Sequence, residues 1–477
     1  MTSLHTDKFY IDGAWVDPKH KESADVINPA NEEVIATIAM GSPDDVDVAV
    51  AAAKRAFASF SETTKDERLA LLKKIRDIYQ RRYDEMSALI RDELGAPIDL
   101  CDDAQTAVGM AHVNATIAAL ENFDFEHINS EGDLIRREPI GVCGLITPWN
   151  WPINQIALKV FPAIAVGCTV VLKPSEITPL NALLFAEILD EAGVPAGVFN
   201  MINGDGINVG SALSKHPDIQ MMSFTGSTRA GRLITKDASE TIKRVTLELG
   251  GKSPNVILAD ADLKDAVQRG LAHCFHNTGQ SCNAPTRMLV HKSQYEDAMA
   301  LAADLAGETQ VGQPAERGPH IGPLVSAMQF DKVQGLIETG MGEGTKLLAG
   351  GPGRPAGFNR GYFVRPTVFG NVTNDMTIAQ EEVFGPVLVM ISYDDDDDAV
   401  AIANDTPYGL AAYIQSGDLD HAKAVMRRLR AGMVHINGSD IGAGSPFGGY
   451  KMSGNGREGG VFGLEDFCEI KAVSMPA

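Results

Sequence analysis

Four short apolar runs between residues 142 and 225 constrain the fold of this chain most strongly. They read VCGLIT (142–147), TVVLK (169–173), VFNMI (198–202) and QMMSFT (220–225). Stretches with helical periodicity lie between them, such as INQIALKVFPAIAV and LNALLFAEILDEAG. Short β-branched strands that alternate with helices are typical of a parallel sheet covered on both faces. The alternation therefore predicts an α/β fold.

The remaining segments are organised around this predicted sheet. Residues 43–95 read as helical, because PDDVDVAVAAAKRAFASF and KDERLALLKKIRDIYQRRYDEMSALIRDELG keep apolar residues at helical spacing. The polar stretch FDFEHINSEGDLIRREP predicts a hairpin. Strand and helix alternation resumes from about residue 261 to 436, with LAHCFHNT and YEDAMALAADLAG predicted as helices. We therefore expect two α/β domains joined near VTLELGGKSP (245–254), after a first third of the chain that is mainly helical.

Composition excludes several classes of protein. Of the 477 residues, 44% are hydrophobic, and 63 acidic side chains outnumber 41 basic ones, which disfavours nucleic acid and anionic membranes as partners. The six cysteines form no CxxC pair and no histidines stand at zinc spacing, so neither a disulfide framework nor a structural metal site is predicted. The run DDDDD (394–398) is interpreted as a helix start, with a calcium site as the weaker alternative. We find no signal peptide, and PAIAVGCTVVL is too short to span a bilayer, so a soluble cytoplasmic protein is expected.

Two polar motifs follow the first two predicted strands, at the sheet edge where α/β proteins bind ligands. ITPWNWP contains Asn150, whose amide could stabilise an oxyanion or could simply satisfy a turn. LKPSE brings Lys173 and Glu176 together after the second strand. A carboxylate in that place characteristically accepts hydrogen bonds from ribose hydroxyls, and a surface salt bridge explains the pair equally well.

Two further motifs contain glycines beside polar residues. In SFTGSTRAG, Gly226 allows close backbone approach, and Ser227 could cap a helix whose N-terminus favours phosphate. Glycines of this kind also simply make turns. In LELGGKSP, Glu248 ends a predicted strand before two glycines. A buried glutamate is rare without a partner, so a functional carboxylate is favoured there.

One cysteine stands in an unusual setting. Cys282 lies in TGQSCNAPTR (278–287) among small and polar residues, whereas a packed cysteine usually has apolar neighbours. A thiolate is a strong nucleophile toward carbonyl carbon. His276 lies six residues earlier and raises the alternative of a cysteine hydrolase. If LAHCFHNT is a helix, however, we expect His276 to point away or to pack.

The motifs TPWNWP, KPSE, FTGS, LELGGKSP, GQSC, EEVFGP and PFGGYKMSGNGRE occur in this order, and together they resemble the NAD(P)-dependent aldehyde dehydrogenase superfamily of the non-phosphorylating, hydrolytic type. The resemblance extends from YIDGAW and INPANEEVIA to EIKAV near the C-terminus. It implies a Rossmann-type cofactor domain (1–122 and 140–248) and an α/β catalytic domain (249–448). A small β oligomerisation element (123–139 and 449–477) would combine the hairpin with a strand near residues 469–473.

The resemblance also implies roles for individual residues. Cys282 matches the nucleophile, Glu248 the general base and Asn150 the oxyanion-hole amide, while Glu458 resembles a carboxylate implicated in proton relay. Lys173 and Glu176 match the pair on the adenosine ribose, Gly226 and Ser227 the pyrophosphate contact, and Glu382 and Phe384 the pair at the nicotinamide ribose and ring. The implied cofactor-binding set is Ile146, Trp149, Lys173, Glu176, Gly206, Gly226, Ser227, Leu249, Glu382 and Phe384. If the segment after Asn150 is helical, we expect Trp151, Asn154, Gln155 and Leu158 to face the aldehyde.

These matches predict NAD+-dependent oxidation of an aldehyde to a carboxylic acid through a thiohemiacetal and a thioester. Glu176 favours NAD+ because its carboxylate would repel a 2′-phosphate, although Lys173 leaves NADP+ use open. The alternatives are a CoA-acylating relative, against which Glu248 argues, a cofactor-independent cysteine hydrolase, and a non-catalytic structural protein. Expected partners are a small-molecule aldehyde, whose identity the sequence leaves open, and further copies of the chain in a homotetramer or homodimer.

Overall fold

The computed structural model describes residues 4–474, so residues 1–3 and 475–477 at the ends of the predicted domain ranges lie outside the described part. Two large sheets, each covered by helices, form the body of the chain. The helices and helical turns are Pro43–Phe60, Lys65–Arg81, Tyr83–Leu94, Ile98–Leu100, Cys101–Gln105, Thr106–Glu121, Pro152–Val166, Leu180–Ala192, Gly206–Gly210, Ser211–Lys215, Thr228–Ala238, Ser239–Thr241, Leu263–Phe275, His276–Gly279, Lys292–Gln294, Tyr295–Glu308, Ala327–Gly342, Thr377–Gln380, Asp396–Asn404, Leu419–Met426, Lys451–Ser453 and Gly460–Asp466.

The first sheet contains all four predicted runs as strands and so confirms the predicted α/β architecture. Its eight strands lie in the order Ala14–Val16, Phe9–Ile11, Phe199–Met201, Thr169–Lys173, Val142–Ile146, Met221–Thr225, Arg244–Glu248 and Gly454–Asn455. The five central strands are parallel, and the edge strands are antiparallel. After Val142–Ile146 the chain adds two strands on one side of it and then returns to add Met221–Thr225 on the other side. The strand order therefore reverses between Val142–Ile146 and Met221–Thr225. Ligands of doubly wound sheets bind at such a switch point.

The helix Pro152–Val166 shows how the sequence covers this sheet. It begins at Pro152, whose fixed φ suits the first helical turn. It ends where Gly167 adopts a left-handed conformation with φ of 101°. Every residue of the helix except Asn154 is buried, as expected for a helix that is apolar on all sides. The helix is therefore a rigid support for the loop before it, 147–151.

The second sheet lies in the C-terminal half. Its seven strands are ordered Lys346–Ala349, Thr367–Gly370, Val387–Tyr393, Arg287–His291, Pro254–Ile257, Ala411–Gln415 and Met433–Ile436. All neighbours pair in parallel except Lys346–Ala349. The segment 276–286, which we call the nucleophile loop, connects Leu263–Phe275 to the strand Arg287–His291.

A third sheet joins the predicted hairpin to the C-terminus. Leu134–Pro139 pairs with Glu126–Ile128 on one side and with Cys468–Val473 on the other, both antiparallel. The hairpin and the C-terminal strand therefore belong to one sheet. Gly454–Asn455 falls in the range predicted for the oligomerisation element, yet it pairs with Arg244–Glu248 of the first sheet.

Some local predictions were wrong. The chain starts with strands rather than helices, since Glu22–Asn28 and Glu33–Met40 form a hairpin ahead of Pro43–Phe60. The long helical stretch breaks at Arg82, whose φ and ψ of −100° and 18° are not helical. A short pair, Gln310–Val311 with His320–Ile321, was not predicted.

The acidic run starts a helix, as expected. Asp395 caps Asp396–Asn404, and its Oδ1 accepts a hydrogen bond from the Asp398 amide at 3.0 Å. Among residues 4–474, no helix is long and apolar enough to cross a membrane.

Candidate active site

A cleft of about 640 Å³ opens at the switch point of the first sheet and reaches the nucleophile loop of the second. Most of its lining comes from residues directly after strands of the first sheet. The lining residues are Pro148, Trp149, Asn150, Thr225, Gly226, Ser227, Glu248, Leu249, Gly250, Cys282, Gln329, Lys332, Glu382 and Phe384. The cleft therefore gathers the motifs that the sequence places far apart.

The nucleophile loop brings Cys282 to the cleft through a sharp turn. The predicted helix LAHCFHNT ends at Phe275 instead of continuing, because Asn277 and Thr278 adopt left-handed conformations with φ of 52° and 56°. Gly279 follows with φ of 70°, and a Cβ there would lie 2.1 Å from the Gly385 carbonyl oxygen. Only glycine fits this approach, which explains the glycine three residues before the cysteine.

Cys282 is half-buried at the inner end of the cleft. Burial raises the pKa of its thiol, and the nearby carboxylates of Glu382 and Glu248 raise that pKa further. The resting side chain is therefore a thiol, and it becomes a strong nucleophile only when a neighbouring group removes its proton.

Asn150 is held rigidly beside the nucleophile loop. Its side-chain amide donates to the Gln280 carbonyl oxygen at 3.0 Å. Its own backbone carbonyl accepts hydrogen bonds from Asn277 Nδ2 at 2.9 Å and from Gln105 Nε2 at 3.1 Å. These contacts fix a side-chain N–H donor at the cleft wall.

Glu248 ends a strand of the first sheet with its side chain buried. Neither carboxyl oxygen has a hydrogen-bond partner within the protein. Burial raises the pKa of Glu248 well above the ordinary carboxyl range, and the neighbouring Glu458 raises it further. A Cβ on Gly448 would lie 2.7 Å from Glu248 Oε1, so this glycine leaves room for the carboxyl group.

Glu458 does not line the cleft but forms a buried ion pair behind it. Its carboxylate contacts the ammonium of Lys159, with side-chain exposures of 5% and 0%. Lys159 Nζ also donates to Thr225 Oγ1 at 2.8 Å. Lys159 was not predicted from the sequence. A lysine inside the otherwise apolar helix Pro152–Val166 was the signal that could have identified this residue.

Glu382 and Phe384 form another part of the cleft wall. Glu382 Oε1 accepts a hydrogen bond from the Gly251 amide at 2.9 Å, and a Cβ on Gly250 would meet the same carboxylate at 2.5 Å. Phe384 adopts a left-handed φ of 60° and packs edge-on against Trp149, with ring centroids 5.3 Å apart. A bulky residue in that conformation is strained, and such strain is concentrated at functional sites.

Two further lining residues, Gln329 and Lys332, were absent from the sequence predictions. Both lie on the helix Ala327–Gly342. Gln329 Nε2 donates to the Phe384 carbonyl oxygen at 2.8 Å and so supports the strained turn. No local motif marks either residue, because only the tertiary fold brings this helix to the cleft.

Lys173 and Glu176 do not line the cleft at Cys282, but lie at the same sheet edge after the next strand. Lys173 Nζ donates to Glu176 Oε2 at 3.0 Å, to the Gly204 carbonyl at 2.6 Å and to the Pro174 carbonyl at 2.9 Å. Lys173 is buried and Glu176 is half-exposed, so the pair is more than a loose surface salt bridge.

The other predicted cofactor residues take different places. Ser227 caps the helix Thr228–Ala238, its Oγ accepting from the Ala230 amide at 3.3 Å, as expected. Gly226 and Leu249 line the cleft, whereas Ile146 is buried in the first sheet. Gly206 is exposed and begins the turn Gly206–Gly210, outside the cleft lining.

The four predicted substrate residues have different surroundings, and none of them is among the residues that line the cleft. Trp151 Nε1 donates to Ser281 Oγ at 2.8 Å, directly before Cys282. Asn154 Oδ1 bonds His112 Nε2 at 2.6 Å, and buried Gln155 leaves its Oε1 without a partner. Leu158 instead lines a separate small cavity with His112 and Pro162.

The cleft thus combines a thiol, an amide donor and an unpartnered buried carboxyl, which are the groups required for acyl chemistry on sulfur.

The aldehyde dehydrogenase family model matches residues 15–473. The 3-succinoylsemialdehyde-pyridine dehydrogenase of a Pseudomonas species is 52% identical over 98% of both chains. A crystal structure of an aldehyde dehydrogenase from Bartonella henselae superposes with a TM-score of 0.97 at 53% identity, over 99% of this chain and 100% of the other. The structure of a mutant of aldehyde dehydrogenase C from Pseudomonas syringae, complexed with NAD+ and octanal, superposes with a TM-score of 0.98 at 50% identity. The match covers 99% of this chain and 98% of the other. The chain therefore belongs to the aldehyde dehydrogenase family.

Proposed function

We propose that this enzyme oxidises an aldehyde to a carboxylic acid with NAD+ as the oxidant, and that Cys282 carries the acyl group. The observation that carries the proposal is the convergence of Cys282, Asn150 and Glu248 on one cleft. The cleft lies at the switch point of the first sheet, where doubly wound sheets bind dinucleotides.

In the first step the sulfur of Cys282 attacks the aldehyde carbon and forms a thiohemiacetal. The oxygen then carries developing negative charge, which the Asn150 side-chain amide and the Cys282 backbone N–H stabilise. One donor of this kind is worth about 3 kcal/mol of barrier height. The contacts that fix Asn150 mean that this donor needs no reorganisation during the reaction.

Glu248 is the general base of the proposed reaction. Because the pKa of Cys282 is raised, the thiol must lose its proton to a base, and the carboxyl of Glu248 has both oxygens free of protein partners. A raised pKa also makes the ionised form of Glu248 a stronger base. We therefore assign it both this deprotonation and the activation of the water that hydrolyses the thioester.

The residues around the cleft fit a dinucleotide. Ser227 caps a helix N-terminus that favours phosphate, and Lys173 with half-exposed Glu176 stands at the neighbouring strand end for a ribose. Glu382 and Phe384 line the same cleft as Cys282 and would hold the nicotinamide end. When bound, the dinucleotide supplies the ring that accepts hydride. Complexes of relatives with NAD+ support this choice, as does the carboxylate of Glu176, which disfavours a 2′-phosphate.

Glu248 also supports hydrolysis over transfer of the acyl group to CoA. The carboxyl is present here and buried at the cleft, where it can activate water.

A comparison of initial rates with NAD+ and NADP+, followed at the absorbance band of the reduced cofactor, tests the proposal. We expect a clear preference for NAD+ and loss of activity in a Cys282→Ala variant. Preference for NADP+ would overturn the cofactor assignment. Full activity of the variant would overturn the mechanism. Product formation without cofactor reduction would instead point to a cysteine hydrolase.

We further propose that the third sheet joins subunits of a homodimer or homotetramer. Glu126–Ile128 and Cys468–Val473 are its two edges, and an unpaired edge is a template for pairing with another chain. Ile128 and Ile470 on these strands are 58% and 73% exposed in the single chain. Light scattering of an Ile470→Asp variant should show smaller assemblies than the native chain, and an unchanged mass would contradict this role.

A further inference from the structure

Two aromatic side chains lie next to the nucleophile loop and do not line the cleft. Trp151 and His276 lie outside the residues that line the cleft, yet both belong to segments that position Cys282. If the cleft holds the dinucleotide, as proposed above, the aldehyde reaches Cys282 by an approach outside that cleft. Its substituent then meets these side chains.

Trp151 is locked in place beside the nucleophile. It is half-buried, and its indole N–H donates to Ser281 Oγ at 2.8 Å. A satisfied indole N–H leaves the ring itself as an apolar, flat surface. The ring is thus fixed by the residue that directly precedes Cys282.

His276 extends this surface. Its ring stacks on Trp151, with centroids 5.7 Å apart and an interplanar angle of 27°. The side chain is exposed because the left-handed turn at Asn277 and Thr278 redirects the chain immediately after it. The imidazole therefore packs, as expected from the sequence, and its partner is the Trp151 ring that bonds the residue before Cys282.

Cys282 itself packs against apolar side chains. Ile441 and Phe447 pack with Cys282 around the buried ring of Tyr413. Tyr413 donates its hydroxyl hydrogen to the Asn283 carbonyl at 2.9 Å, which fixes the loop on this side of Cys282. An aldehyde substituent next to Cys282 therefore has apolar groups beside it.

We infer that the Trp151–His276 pair selects aldehydes with a flat aromatic ring, and that His276 is a specificity-determining residue. Stacking of a substrate ring on this pair adds to simple apolar burial, because offset aromatic pairs gain free energy beyond their contact area. An aliphatic ring of the same size lacks that gain. This inference rests on the proposed function, since it concerns the substrate of that reaction.

Two aldehydes of matched size test the inference. Phenylacetaldehyde and cyclohexylacetaldehyde each separate the ring from the aldehyde by one methylene, so the carbonyl carbons have similar reactivity. We expect kcat/KM with NAD+ to favour phenylacetaldehyde by about threefold to tenfold, the range that aromatic stacking supplies. His276→Leu should lower this ratio by about threefold, whereas His276→Phe should keep it. The ratio measures recognition and not folding, because both substrates meet the same variant.

His291→Leu is the matched control, because His291 packs edge-on against Tyr393 at the far end of the strand that follows the nucleophile loop. Its ratio should equal that of the native enzyme. A native ratio near one, or an unchanged ratio in His276→Leu, would overturn the inference while leaving the proposed function intact. Failure to oxidise any aldehyde would overturn the proposed function, and the inference with it.

Discussion

Removal of one partner from the buried Lys159–Glu458 pair should destabilise the enzyme strongly. The two side chains are 0% and 5% exposed, so water cannot solvate a charge left alone there. Breaking a buried pair in this way typically costs 3–5 kcal/mol. We therefore expect Lys159→Met and Glu458→Gln each to lower the free energy of unfolding by about 4 kcal/mol. Lys159→Met also removes the hydrogen bond to Thr225 Oγ1.

The double variant separates the pair from other effects. Because it leaves no uncompensated charge, its loss of stability should be smaller than the sum of the two single losses by at least about 1 kcal/mol. Urea denaturation followed by far-ultraviolet circular dichroism measures all variants. Lys54→Met is the control, since the Lys54–Asp218 pair has side-chain exposures of 62% and 41% and should contribute less than about 1 kcal/mol. Additive losses, or single losses equal to that control, would refute the reasoning.

Three further outcomes follow from the site and its surroundings. The acyl-hydrolysis rate, measured by rapid quench, should rise with pH above the ordinary carboxyl range. The reason is that the pKa of Glu248 is raised and only its ionised form activates water. A rate that does not change with pH would contradict this role. Gly279→Ala should abolish most activity, since φ of 70° and a contact of 2.1 Å with the Gly385 carbonyl exclude a Cβ; normal turnover would show that the loop adapts. The carboxylates of Asp396 and Asp260 raise the pKa of His421 in the folded protein. The contribution of protonated His421 to stability is therefore full below pH about 6.5 and is lost as the pH rises through the pKa of the folded state. Melting temperatures of the native enzyme and His421→Asn should therefore converge at alkaline pH, and a constant difference would argue against this titration.

The sequence predicted the parts of the fold that local patterns determine. Apolar runs of five residues could only be buried strands, and the helices between them had to cover the sheet. Strand ends then indicated where ligands bind, and Glu248 and Asn150 both follow such ends, although only the resemblance implied a role for Asn150. Cys282 was recognisable because its neighbours were too small and polar for simple packing.

Other features depend on contacts between distant segments, which no local pattern reveals. Gln329 and Lys332 reach the cleft only because the helix Ala327–Gly342 packs beside it. The left-handed turn at Asn277 and Thr278 overrides the helical periodicity of LAHCFHNT, because Gly279 must pass close to the Gly385 carbonyl. The stack of His276 on Trp151 results from that turn, and so it could not be predicted either.

The sulfur of Cys282 is proposed to carry the acyl group of the substrate. Native enzyme quenched with acid during turnover with aldehyde and NAD+ should hold a fraction of its Cys282 as the thioester. Peptide mass spectrometry of the quenched enzyme should then find the acyl mass on the peptide that contains Cys282. An adduct on another side chain, or no adduct while reduced cofactor forms, would contradict the account.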